Sequence, residues 1–353
     1  FYRLFDISRM CYVRWRNIMR SANSRAYVTF LILNDTFLPG ALLQAHALGS
    51  QDPNADRICL ITQEITKEAR RSLELLFHFV VTVSPLYVSH IPTKRRQDLP
   101  WLLTKLNALR LGSDGDLGFS YTKIVLLDAD ILPLKHYQHL FLVDSPAGTI
   151  NEKKDNFIDT DGRGRHRMPE FVNIRGQWRW HTVYRDVGHG YEIPRGITDR
   201  VKKDHSNMGV NTALMVLEPS IAEYARILED LSNPEIAFLM DSFFKWPDMQ
   251  YLTMRWSGQW RSIDARFSAL NGYPDLRLVW GSHFAGFKPW YFQRESAMRR
   301  YVRFPDFQMW FTSYDAMVGR YPRLLQMGKL RRLHESVRSA LSEADPSGAC
   351  QIS

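Results

Sequence analysis

Lys123 to Asp130 reads KIVLLDAD. Four of the first five residues are apolar, and Ile124 and Val125 are β-branched, which suits a strand covered on both faces, where no wet side imposes alternation. Side chains alternate across an extended chain, so Asp128 and Asp130 point one way and Ala129 the other. Strands of an α/β sheet open at their carboxyl ends onto the crevice that takes ligands, so both carboxylates arrive there together. Partial burial and like charge oppose their ionisation, and a hard divalent cation, Mn²⁺ or Mg²⁺, would relieve both by sharing oxygens with a diphosphate. Asp114/Asp116 and Asp159/Asp161 repeat the spacing in Gly-rich or charged loops, where Asp serves turns. A competing reading makes Asp128 and Asp130 caps of the turn that Pro133 closes.

Working outward, Tyr27–Leu33, Arg57–Thr62 and Val80–Val83 read as further strands, and Gly209–Leu217 as another. Helical stretches fall between or beside them at Ala41–Leu48, Lys67–Phe77, Trp101–Arg110 and Ser220–Leu231. This alternation predicts an α/β, Rossmann-like nucleotide-binding fold with a mostly parallel central sheet and helices on both faces. Asp144–Asn207 is rich in Gly, charge and aromatics, too long for a passive connection, and is expected to be a functional insert. The sheet pattern persists to about Trp290. Arg294–Leu341 is basic and helical, and Ser342–Ser353 is expected to be a flexible tail. The expected organisation is an N-terminal extension (1–25), a catalytic domain (26–290) with the insert 144–207, and a helical C-terminal extension (291–353).

Bulk properties narrow the functional classes. The chain has 353 residues, 45% of them hydrophobic, enough for one large core or two modest ones. No apolar run is long enough to span a bilayer. Cys11, Cys59 and Cys350 are too few and too scattered for a disulfide framework or a zinc site, and a reducing, cytoplasmic setting is the expectation. A net charge of +9 suits an anionic ligand. Basic clusters such as Lys94–Arg96 and Arg163–Arg167 lack the companions of an RNA or zinc-finger motif, so nucleic acid is not expected.

A second constellation lies at His283–Trp290, HFAGFKPW. His283 can be a third metal ligand, Gly286 lets backbone approach a ligand, and Lys288 can neutralise phosphate. Each also has a plain structural reading, as a core histidine, a loop glycine and a solvated cation.

NDTFLPGA from Asn34, LTKL around Lys105, LLDAD ending at Asp130, GVNTALMVLEP around Asn211 and HFAGFKPW from His283 occur in that order. In this the chain resembles the glycogenin-like, retaining GT-A enzymes of glycosyltransferase family eight over about Ala26–Trp290. The resemblance implies transfer of a sugar, glucose by default, from a UDP-sugar to an acceptor hydroxyl. It places uridine on Leu31, Leu33, Asn34 and Phe37, ribose at Ala129, the diphosphate or sugar at Arg96 and Lys105, and the transferred sugar at Asn211 and Thr212. Metal would sit on Asp128, Asp130 and His283, with Gly286 and Lys288 at the phosphates. Asp248 and Gln250 are the candidate catalytic pair. The family's DQxxL motif appears here as Asp248, Met249, Gln250, Tyr251 and Leu252, so either Gln250 takes over for the missing Gln or the site differs. Phe37 stands for the usual Tyr, and Ala213 for a Gly.

The acceptor, whether glycan, protein or small molecule, and a homodimer stay open. Trp178, Trp180, His181, Tyr184, His189 and Tyr191 make the insert a candidate acceptor platform. Alternatives are a catalytically weak UDP-sugar or glycan-binding protein, and a metal-dependent nucleotidyltransferase or phosphohydrolase.

Overall fold

The computed structural model describes residues 24–89, 91, 97–151, 187–205, 207–270, 276–285, 288–291, 301–302 and 304–344. The chain opens with β1 (Arg25–Leu31), α1 (Leu38–Gln51), β2 (Asp56–Ile61), α2 (Lys67–Leu73) and β3 (Phe79–Thr82). Short tight turns of helix run over Leu99–Leu111, and β4 (Lys123–Leu127) follows. Next come β5 (Ile131–Pro133), β6 (Ala147–Ile150), β7 (Val210–Leu217), α3 (Ile221–Leu231), α4 (Pro234–Ser242) and α5 (Pro247–Arg255). β8 (Arg261–Ser262), β9 (Ala269–Leu270), β10 (Gly281–His283), α6 (Pro305–Arg320) and α7 (Gly328–Ala344) complete it.

The main sheet has the order β3-β2-β1-β4-β7-β6-β8, and a small one the order β5-β10-β9. β1 pairs in parallel with β2 and β4, and β2 with β3. β7 runs antiparallel to β4 and β6. The order reverses between β1 and β4, the position at which such sheets open a ligand crevice.

Helices cover both faces, as the apolar strands require. On one face Leu31, Leu42 and Phe284 pack with Phe307, Trp310, Leu330 and Leu333, so α6 and α7 share a core with α1 and α2. On the other, Val28, Ile58 and Leu126 pack with Leu103, Leu106, Tyr251 and Trp260. Local signals set the helix starts. Thr66 accepts a hydrogen bond from Ala69 N at 3.2 Å, Ser220 from Glu223 N at 3.2 Å, and Pro234 follows the capping Asn233.

Several expected boundaries shift. β1 ends at Leu31, because Leu33 has φ 67° and the chain has already turned. The expected insert begins with a strand: β6 pairs with β7 inside the main sheet. Ser342–Ala344, expected in the tail, continue α7.

Candidate active site

A crevice of about 560 Å³ opens where β1 and β4 end. Its floor is the Asp128–Asp130 turn, fixed from two sides. Asp128 N donates to Ala213 O (2.8 Å), while the buried Gln44 of α1 donates from Nε2 to Asp128 O (2.8 Å) and Ile131 O (3.0 Å). α1 lies so close that a Cβ on Gly40 would stand 2.2 Å from Ala129 O. Only glycine fits there.

Sheet pairing brings His283 to the aspartates across more than 150 residues. β10 runs antiparallel to β5 with His283 opposite Ile131, and Phe284 N donates to Asp130 O at 2.9 Å. His283 Nε2 therefore stands 3.5 Å from Asp130 Oδ1. Lys288 Nζ closes the other side, donating to Asp130 Oδ2 at 2.5 Å and to Phe284 O at 2.5 Å.

Behind this cluster, Lys105 is almost fully buried and its three donors are taken. Its Nζ bonds Asp248 Oδ2 (2.9 Å), Thr212 Oγ1 (3.1 Å) and Thr212 O (3.1 Å), and stands 3.6 Å from Asp128 Oδ1. The Thr212 hydroxyl also donates to Asp248 Oδ2 at 2.7 Å. Burial opposes the charge on Lys105, yet Asp128 and Asp248 outweigh it and push the ammonium above its usual value. Burial likewise opposes ionisation of Asp248 and Asp130, but Lys105 holds the first below the carboxylate range, and Lys288 with His283 holds the second well below it. Asp128 is the exception: burial, aided by the negative Asp130 and Asp248, outweighs Lys105 and raises its pKa.

Another wall of the crevice is the turn after β1. Leu33 adopts a left-handed backbone, which costs a non-glycine residue about 1–3 kcal/mol and recurs at ligand clamps. Leu33 N donates to Thr62 Oγ1 (3.1 Å), and Asn34 Oδ1 accepts from Thr36 N (2.9 Å). Phe37 sits edge-on to Trp290, with ring centroids 5.7 Å apart, under the Lys288 ammonium.

Among the described residues, no group of three or more His, Cys, Asp or Glu side chains is gathered tightly enough to hold an ion. The donor chemistry nevertheless suits a hard cation. Asp128 Oδ1 and Asp130 Oδ1 are buried without a hydrogen-bond partner, and His283 turns Nε2 toward Asp130. Adjacent ligands of an octahedral ion with bonds near 2.1 Å stand about 3 Å apart, so the 3.5 Å between His283 Nε2 and Asp130 Oδ1 needs only slight closing.

No family model matches the chain. It is 35% identical to glycogenin-1 of Caenorhabditis elegans over 121 residues, which are 33% of this chain and 26% of the glycogenin. Against galactinol synthase 2 of Solanum lycopersicum it is 24% identical over 312 residues, 84% of this chain and 81% of the synthase. Among solved structures, the galactosyltransferase LgtC in complex with donor and acceptor sugar analogs superposes with a TM-score of 0.52 at 12% identity, over 82% of this chain and 95% of LgtC. In sequence the chain is similar to glycogenins and galactinol synthases, and its fold is that of GT-A glycosyltransferases.

In this chain Leu31, Leu33, Asn34, Phe37, Asp128, Ala129, Asp130, Asn211, Thr212, Asp248, His283 and Lys288 all reach the crevice. Two sequence-predicted residues do not. Lys105, expected at the diphosphate or sugar, is instead consumed by Asp248 and Thr212 behind the wall. Gln250, expected beside Asp248 in catalysis, is fully buried and faces away: Oε1 accepts from Lys245 N (2.7 Å) and Trp246 N (2.9 Å), and Nε2 donates to His205 O (2.8 Å) and Asn207 O (3.0 Å). Met249 takes the crevice-facing position.

Arg96, Gly286, Trp178, Trp180, His181 and Tyr184 lie outside the described residues. Of the remaining platform residues, His189 accepts from Asp264 N (3.2 Å) and packs on Phe267, a structural role, whereas Tyr191 is exposed. Sequence reasoning missed Gln44, Met208 and Trp246. Gln44 left a trace, as a polar residue on the otherwise apolar face of α1.

Proposed function

We propose that the crevice binds a UDP-sugar, glucose by default, with Mn²⁺ or Mg²⁺, and that the enzyme passes the sugar to an acceptor hydroxyl with retention of configuration. The observation that carries this reading is that Asp128, Asp130 and His283 line one crevice at the carboxyl ends of β1 and β4, with an unpartnered buried oxygen on each aspartate. Asp128, Asp130 and His283 would hold the cation, which when bound supplies charge stabilisation to the departing diphosphate. Lys288 can exchange its bond to Asp130 for a phosphate oxygen without leaving the crevice wall. The Leu33–Phe37 turn would seat the base, with the Phe37 ring offering a stacking face. Asn211 and Thr212 would orient the sugar. Asp248, kept ionised by Lys105 and bonded by the Thr212 hydroxyl at 2.7 Å, is the carboxylate suited to a developing oxocarbenium charge. The names of the glycogenin and galactinol synthase relatives are consistent with a sugar-transfer reaction and leave the acceptor to experiment.

Met249 supports a second reading, a weakly catalytic UDP-sugar-binding protein. A thioether cannot hydrogen-bond a sugar hydroxyl as an amide does, and Gln250 is turned away. UDP release from UDP-glucose, measured with Mn²⁺ and with EDTA, separates the readings. Mn²⁺-dependent release that disappears in Asp130→Ala and His283→Ala supports the transferase. Binding of UDP and Mn²⁺ without turnover supports the second reading, and release of UMP or phosphate in place of UDP refutes both in favour of a nucleotidyltransferase or phosphohydrolase.

A further inference from the structure

A few residues along the chain from the crevice-wall side chains Trp246 and Met208 stands a cluster of aromatic rings. Gln250 assembles it. By bonding the backbone at Lys245 and Trp246 on one side and at His205 and Asn207 on the other, this single carboxamide ties the turn between α4 and α5 to the segment before β7. Each tied segment places one side chain on the crevice wall, Trp246 and Met208. Each also carries a ring three residues away, and these two rings, Phe243 and His205, lie 4.6 Å apart, tilted by 35°. Phe238 of α4 meets Phe243 edge-on at 5.6 Å. Phe238 is 60% exposed and Phe243 43% exposed.

Clustered exposed aromatics are uncommon on a surface that touches only water. Here the backbone beside Phe243 and His205 is also held in advance by the buried Gln250 carboxamide, which lowers the cost of ordering it when something settles there. Met249 and Trp246 of the crevice wall and, on adjoining stretches of chain, Phe243, His205 and Phe238 make up the strip.

We propose that this strip, with Phe243 and Phe238 as its outer stacking faces, is the platform for an oligosaccharide acceptor. The claim rests on the reading of the crevice as a sugar-transfer site. Sugar rings present flat C–H faces that stack on aromatic rings, while their edge hydroxyls stay in water. A chain of such rings fits a narrow strip leading to a transfer crevice. A protein partner would need about 800 Å² of contact surface, far more than three rings provide.

The test uses the full chain, calorimetry, and maltohexaose, cellohexaose, xylohexaose, mannohexaose and chitohexaose as probes, with octyl glucoside as an apolar control and UDP plus Mn²⁺ as a separate ligand. The expected result is that at least one hexasaccharide binds, and that Phe243→Ala and Phe238→Ala each weaken it roughly fivefold, the scale of one stacked ring. Phe243→Trp should retain binding, and UDP affinity and melting temperature should match the wild type in all three. Wild type that binds UDP but no hexasaccharide, alanine variants that bind sugar like wild type, or tighter binding of octyl glucoside than of any hexasaccharide would each overturn the platform and leave the donor reading standing. Failure of wild type to bind UDP while a hexasaccharide binds in a Phe243-dependent way would overturn the donor reading and support the platform as a glycan site.

Discussion

Gly40→Ala tests whether the close approach of α1 sets the position of the Asp128–Asp130 turn. The added methyl would stand 2.2 Å from Ala129 O and 2.6 Å and 2.9 Å from two carbons of the Trp290 ring. Ordinary contact begins near 3.5 Å, so helix and turn must separate by about 1 Å. Neither can yield freely. Leu38, Ala41, Leu42 and Ala45 bury α1 in the core, and the turn is tied by Gln44 and Ala213. Overpacking of this kind costs about 1–3 kcal/mol, and the better helix propensity of alanine returns up to about 1 kcal/mol. A net loss of about 1–2 kcal/mol in urea unfolding is expected. Activity should fall further, because a displacement near 1 Å at reacting groups can cost about 10²-fold. Gly49→Ala, in the same helix, is the control. Its methyl would meet the Arg57 guanidinium at 3.1 Å, which must give slightly against its bonds to Leu76 O and His78 Nε2, so stability should change by less than about 1 kcal/mol and UDP release should be normal. If Gly40→Ala keeps both the stability and the UDP release of wild type, the close approach does not position the carboxylates.

Gln250→Leu should destabilise the fold by about 2–4 kcal/mol, since it strips hydrogen bonds from two amides and two carbonyls around a buried side chain; a urea midpoint equal to wild type would refute the bridging role. Lys105→Met should cost about 3–5 kcal/mol, because it leaves Asp248 and Asp128 as buried carboxylates without their cation. A Lys105→Met protein that is as stable as wild type but binds UDP-glucose more weakly would return Lys105 to a donor-contacting role.

The parts of this fold legible in the sequence are those dictated by short-range physics. KIVLL could hardly be anything but a covered strand, and β4 occupies those five residues. β6 was hidden because AGTI offers little apolar area and no alternation, so its place beside β7 is set by the sheet and not by its own propensity. The aspartates could be placed at the crevice from strand polarity alone. His283 could not, since its meeting with Asp130 depends on antiparallel pairing between β5 and β10, elements of three residues each.

Gln250 shows a further limit. Residues 248 to 250 occupy the first turn of α5, and successive positions on a helix are rotated by about 100°, so only one or two of them can face the crevice. Asp248 and Met249 do, and the amide that sequence order offered as a substitute for the family's Gln is carried round to the loops behind. Moving the amide by one residue is therefore no small adjustment: it exchanges a ligand-facing group for a structural one. On the proposed reading the chemistry of the sugar side would then fall to Asp248, Asn211 and Thr212, while Gln250 ties the Lys245–Trp246 turn to the segment of His205 and Asn207.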